Sequence, residues 1–252
     1  MPVDILAIGA HPDDIELACG GTLALLAESG RKVGLFHLTS GEAGTRGTRE
    51  GRRAEARAAA EALGAETVEF LECGDGALRT GVEEENAVIE VFRRLRPELI
   101  LGPSVSDRHP DHGRAHRLVE AASFYGGLVR RRGIEGGSRP HRPAAVFDYM
   151  PHDPFEPKFV VDVSASWEKK MAALACYESQ LYQSLRQGAD HQGAADEGEP
   201  KTKVSSPEYW LAVEGRARHF GLLIGAEFGE PFTSRLPLAV KDPFSLLPGG
   251  LR

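Results

Sequence analysis

Short apolar runs alternate with helix-like stretches through the first half of the chain. Residues 3–9 (VDILAIG) form an almost unbroken apolar run ending in glycine, which predicts a strand buried on both faces. Residues 20–30 (GGTLALLAESG) carry helical spacing and stop at a glycine. Residues 33–39 (VGLFHLT) predict a second strand, and 40–48 (SGEAGTRGT) a loop. The Ala-, Glu- and Arg-rich segment 49–63 has high helix propensity and ends before Gly64. A third strand is predicted at 66–71, a turn at GDGAL, and a helix at 83–95 closed by Pro97. Residues 98–102 (ELILG) predict a fourth strand, and about 111–125 another helix.

Such alternation implies right-handed crossovers and a mainly parallel sheet covered on both faces. The predicted fold class is therefore α/β, a Rossmann-like three-layer α/β/α arrangement. The second half is less regular. Residues 126–143 form a Gly/Arg/Pro loop, strands are predicted at 144–149 and 158–163, and a long helix at about 165–182. Residues 186–204 are polar and Gly-rich and predict a mobile surface loop, followed by a helix at 206–219. With no internal repeat and no linker, residues 1–252 are expected to form one domain.

Composition removes several function classes. Hydrophobic residues make up 41% and charged residues 27%, an ordinary globular balance that argues against disorder. Three widely spaced cysteines without a Cys-x-x-Cys argue against a disulfide framework and a cysteine zinc site. The N-terminus shows no signal-peptide pattern and no stretch approaches the length of a membrane span, so a cytoplasmic protein without membrane association is expected. The net charge of -7 runs against nucleic-acid binding.

Histidine placement is more informative. Ala10-His11-Pro12-Asp13-Asp14-Ile15-Glu16 follows the first predicted strand, and Asp107-Arg108-His109-Pro110-Asp111-His112 follows the fourth. In open α/β sheets, ligands bind at the carboxyl ends of strands, so the two loops meet if those strands are neighbours. One His-Pro-Asp is a common turn; two, each rich in acid and imidazole, suggest a site. His and Asp suit zinc or a similar divalent metal, with two ligands from the first loop and one from the second. A spare carboxylate can then act as general base. The pattern alone does not say whether Asp13 or Asp14 is the ligand. His116, four residues after His112, is a weaker ligand candidate, because no Glu stands inside the pair. His37 is expected in the core and His152 on the surface or in a loop, with the edge of the cleft as the lesser alternative.

These motifs resemble those of the LmbE-like/PIG-L zinc N-deacetylases. The resemblance extends to Gly20-Gly21-Thr22, to Arg52 with Glu55-Ala56, and to Tyr177-Glu178-Ser179-Gln180, and covers roughly residues 3 to 228. The segments DRHPDH and KMAALACYESQ are similar to the bacillithiol-pathway branch, the N-acetylglucosaminyl-malate deacetylases. The resemblance implies a Zn2+ enzyme that removes acetyl from a small amino-sugar conjugate, with inositol or thiol conjugates as alternatives. A non-catalytic sugar- or metal-binding protein is a further alternative, against which the spare base Asp13 speaks.

The resemblance also implies roles. His11, Asp14 and His112 would bind zinc, and Asp13 would be the general base. His109 would assist the oxyanion or the leaving group, protonated and held by Asp111. Glu16 would support a ligand histidine, and Arg52 would lie near the site. Arg52 and Arg108 are the expected contacts of an anionic malyl group, although a salt bridge from Arg108 to Asp107 or Glu42 is nearly as well supported. The resemblance also implies a homo-oligomer, with a hexamer as the expected form.

Overall fold

The protein is described by a computed structural model over residues 1–131, 133–134, 138–181 and 200–246. The apolar runs become strands β1 (Ile5–Gly9), β2 (Val33–His37), β3 (Thr67–Phe70) and β4 (Leu99–Pro103). Helices α1 (Asp14–Glu28), α2 (Arg49–Leu63), α3 (Val82–Leu95) and α4 (Pro110–Tyr125) connect and follow them. The remainder supplies β5 (Ala145–Tyr149), β6 (Phe159–Asp162), α5 (Trp167–Ala175), α6 (Pro207–Ile224) and β7 (Gly229–Thr233).

One sheet takes all seven strands in the order β3-β2-β1-β4-β5-β7-β6. The first five are parallel, with Ala7 of β1 aligned with Leu35 of β2 and Leu101 of β4. β7 runs antiparallel between β5 and β6. Side chains alternate across β1, so Ala7 joins Leu23, Leu35, Leu63 and Leu174 on one face. Leu6 and Ile8 join Phe36, Phe92 and Leu118 on the other. Burial on both faces explains why the strand runs are continuously apolar.

Three elements depart from expectation. α1 begins at Asp14, inside the first motif, and contains a break at Cys19 (φ -136°, ψ 19°). The predicted helix at 165–182 shortens to one 3-10 turn (Ser164–Ser166) followed by α5. β7 (GEPFT) has no counterpart in the sequence reading, because Gly229, Glu230 and Pro231 all disfavour a strand. The reading of 186–204 as a mobile loop lies, up to residue 199, outside the described residues. Among the described residues no helix is long and apolar enough to cross a membrane.

Candidate active site and metal centre

β1 and β4 are neighbours, so the loops at their carboxyl ends converge. The chain leaves β1 through His11 and Pro12, and Asp13 adopts a left-handed conformation (φ 96°, ψ -27°) at the start of α1. A non-glycine residue there is strained and must be held by its surroundings. Arg52 of α2 does so. Its guanidinium donates to the Pro12 carbonyl at 2.7 Å and the Gly41 carbonyl at 3.0 Å, and reaches Asp13 Oδ2 at 3.3 Å. Gly41 permits this approach: a Cβ there would lie 1.8 Å from Arg52 Nη1.

Asp14 sits between two imidazoles. Its Oδ2 lies 3.4 Å from His11 Nδ1, and its Oδ1 lies 3.1 Å from His112 Nε2. His109 caps α4, with Pro110 in the first helical turn. His11, His109 and His112 each bring a ring nitrogen within 4.8 Å of the others. Asp107 anchors the second motif. It accepts from His112 Nδ1 at 2.8 Å, from the His109 N–H at 2.9 Å, and from the N–H groups of His152 and Asp153. This leaves His112 Nε2 directed at Asp14. The orientation fits a metal-binding imidazole whose other nitrogen is held by a carboxylate.

The donor set fits a divalent cation. Carboxylates of Asp13, Asp14, Asp75 and Asp111 crowd His11 and His112. The buried His11 Nε2 lies 3.1 Å from Asp75 Oδ1 and 3.5 Å from Asp111 Oδ2, without an aligned hydrogen bond to either. Nitrogen and carboxylate donors of this kind suit zinc and related ions. Burial pushes Asp13 up to about 7, against the pull of Arg52. Burial alone would lower His112, but the Asp14 and Asp107 carboxylates lift it to about 9.

The cleft over these groups has a volume of about 270 Å³. Its lining includes His11, Asp13, Asp14, Arg52, Asp75, His109 and His112, together with Arg108, His152, Gln180 and Val204. A larger open depression of about 450 Å³, lined by α2 and β3 residues such as Arg57 and Glu61, contains no comparable chemistry.

Several expected roles change. Arg52 lines the cleft and also clamps the first motif, its guanidinium bonded to two backbone carbonyls and to Asp13. Asp111 does not hold the His109 ring with its side chain. Its carboxylate faces His11, Gly76 N–H and Arg114, while its backbone N–H donates to His109 Nδ1 at 3.2 Å. His109 is correspondingly pushed below its ordinary pKa, by burial and by the nearby His11 and His112 charges. Glu16 pairs with the Tyr177 hydroxyl at 2.9 Å rather than with a ligand histidine.

Arg108 is exposed at the cleft. Neither expected salt bridge forms, since Asp107 is occupied and Glu42 accepts from the N–H groups of Ser40 and Asp75. His116 stands apart, facing the Pro103 carbonyl, Asp148 and Glu120. His37 is buried in the core, and His152 lines the cleft. Asp75 escaped sequence reasoning because it stands in a Gly-Asp-Gly turn, where an aspartate is ordinary.

Comparison with known proteins places this geometry. The family model described as PIG-L: GlcNAc-PI de-N-acetylase matches residues 6–123. Diacetylchitobiose deacetylase of Thermococcus kodakarensis is 35% identical over 189 residues, covering 70% of this chain and 70% of that protein. The 4-oxalmesaconate hydratase of Pseudomonas putida is 31% identical over 192 residues, covering 69% and 73%. The crystal structure of a conserved protein from Thermus thermophilus superposes with a TM-score of 0.81 at 35% identity, covering 94% of this chain and 97% of that one.

Proposed function

Because the chain belongs to the PIG-L/LmbE-like deacetylase family, we propose that it removes the N-acetyl group from an N-acetylglucosamine conjugate, with N-acetylglucosaminyl-malate as the substrate. At the coarser level it is an enzyme, a hydrolase of amide bonds. The observation that carries the reading is a part-buried carboxylate, Asp13, held by Arg52 in the lining of the cleft beside His11, Asp14 and His112.

In this reading His11, Asp14 and His112 hold zinc. A divalent metal held there would supply Lewis-acid activation of the amide carbonyl and of water near neutral pH. Asp13 takes a proton from the attacking water and delivers it to the departing amine nitrogen, so that acetate and a free amine are formed. A base with a pKa near the working pH suits both transfers, and burial sets Asp13 there. Because His109 Nδ1 accepts from the Asp111 N–H, the neutral ring carries its proton on Nε2 and donates it to the developing oxyanion. The neutral donor replaces the protonated imidazole expected from sequence.

The malyl assignment is supported by Arg108, an exposed guanidinium at the cleft with no ionic partner among the described residues. Arginine recognises carboxylates in bidentate fashion. The hydratase among the relatives shows that fold alone does not fix the reaction. Amine release from N-acetylglucosaminyl-malate, the inositol analogue and diacetylchitobiose, each with and without chelator, tests the reading. Release on the malate conjugate that a chelator abolishes and zinc restores is the expected result. Chelator-insensitive turnover rejects the metal, equal rates on all three reject the malate assignment, and no amine from any rejects the deacetylase reading.

A further inference from the structure

Helix α1 is interrupted five residues after it begins. Cys19 leaves helical geometry, so residues 14–18 form one separate turn that bears Asp14 and the cleft-lining Leu17. A break strands backbone groups on both sides, and buried stranded groups need partners. At Gly21, Thr22 and Leu17 the partners come from the C-terminal third. Glu230 of β7 accepts from the N–H groups of Gly21 and Thr22 at 2.9 and 2.7 Å, and from the Thr22 hydroxyl at 2.6 Å. Its carboxylate thus caps the second part of the helix, where the dipole favours negative charge.

On the other side of the break, the Leu17 carbonyl accepts from Lys170 Nζ and from Arg216 Nη2, each at 3.0 Å. Lys170 Nζ also lies 2.6 Å from Glu230 Oε1, so one ion pair joins the two sides. Lys170 and Glu230 are 2% and 1% exposed, which makes the pair fully internal. Arg216 adds donations to the carbonyls of Met150 and Pro151, next to His152. Gly21 makes the fit possible: a Cβ there would lie 2.8 Å from Val163 and 3.2 Å from Glu230 Oε1.

A buried ion pair is a poor device for stability alone, since well-packed apolar residues often match or exceed it. Its distinctive property is that it fixes position. We propose that Lys170 and Glu230 are positioning residues that set the turn carrying Asp14 against the histidines of the cleft. The inference rests on the reading of Asp14 as a metal ligand.

Zinc titration of the metal-free protein against a chromophoric chelator tests it, with thermal unfolding and steady-state kinetics on the same samples. Removal of one partner leaves a charge buried alone, so the decisive variant is the double Lys170→Met/Glu230→Gln. It removes both charges while keeping an amide oxygen for Gly21 and Thr22. The expected result is a folded protein whose zinc affinity falls about tenfold or more, the scale seen for groups that orient ligands, with kcat reduced and KM little changed. Wild-type zinc affinity and kcat in the folded double variant overturn the proposal. A double variant that does not fold overturns it too, because the pair is then needed for the fold. Asp14→Ala separates the two layers. Lost zinc binding in Asp14→Ala with wild-type affinity in the double variant overturns the positioning role alone. Wild-type zinc binding in Asp14→Ala overturns the ligand reading and this inference with it.

Discussion

The parallel part of the sheet and its antiparallel edge contribute different things. β1 to β4 and their following segments supply His11, Asp13, Asp14, His109 and His112, whose polar atoms face an open cleft and one another. The later elements supply Lys170, Arg216 and Glu230, whose polar atoms face backbone groups of α1 and each other. Crowding like charges and strained backbone at strand ends makes a reactive site, and it also makes an unstable one. The later elements provide the opposite arrangement, an internal Lys170–Glu230 pair and an arginine hydrogen-bonded to backbone carbonyls. The turn that bears Asp14 and the residues that support it thus lie more than 150 positions apart in the chain.

The strongest way to break this division is Asp13→Ala. If the parallel part holds the chemistry, this substitution lowers kcat by about 10²–10⁴-fold, the scale of general acid–base catalysis. Zinc content stays at the wild-type level, because Asp13 is the base and not a ligand in this reading. Amine release at saturating substrate and metal analysis of the purified variant check it. A kcat within about tenfold of wild type would move the base elsewhere.

Arg108→Ala sharpens the comparison at the cleft edge. An exposed arginine that contacts only substrate is expected to affect binding rather than the chemical step. KM for an anionic conjugate rises about ten- to a hundredfold while kcat holds, matching the usual worth of a charged hydrogen bond. A neutral conjugate such as diacetylchitobiose shows no change. Equal losses on both substrates would make Arg108 a structural residue.

The parallel part was readable in sequence for a physical reason. Strands buried on both faces are continuous apolar runs, and Leu6, Phe36 and Leu101 lie in the expected elements. The two His-Pro-Asp motifs were legible as one place because chemistry in an α/β sheet collects at strand ends, while the choice of Asp14 over Asp13 came only from the family resemblance. The edge was not legible. β7 is built from Gly229, Glu230 and Pro231, residues that normally end strands, and it is tolerated through pairing on both sides. The break at Cys19 hides inside a helical pattern, since helical spacing records side chains and not φ and ψ. Arg52 was found but its hold on the first motif was not, because its partners are carbonyls of Pro12 and Gly41, and backbone acceptors leave no trace in a motif.

The smallest effect expected concerns a buried polar group of the parallel part that carries no charge. His37 ends β2, fully buried, with Nδ1 3.2 Å from the His11 carbonyl and its ring 5.2 Å from Phe70. Burial pulls its pKa down to about 4, against 6.5 for the free side chain. Between these values the unfolded chain binds a proton that the folded protein refuses, so stability is full above pH 6.5 and is lost as pH falls toward 4. From pH 6.5 to 5 the loss from this one group is about 2 kcal/mol. His37→Gln keeps a donor for the His11 carbonyl and does not titrate. Urea unfolding of the metal-free proteins at both pH values is therefore expected to show the wild type losing about 2 kcal/mol more than the variant. Other titrating groups are common to both proteins and cancel in the difference. An equal acid sensitivity would mean that water reaches the ring, and that the core beneath the cleft is more open than the parallel strands around it.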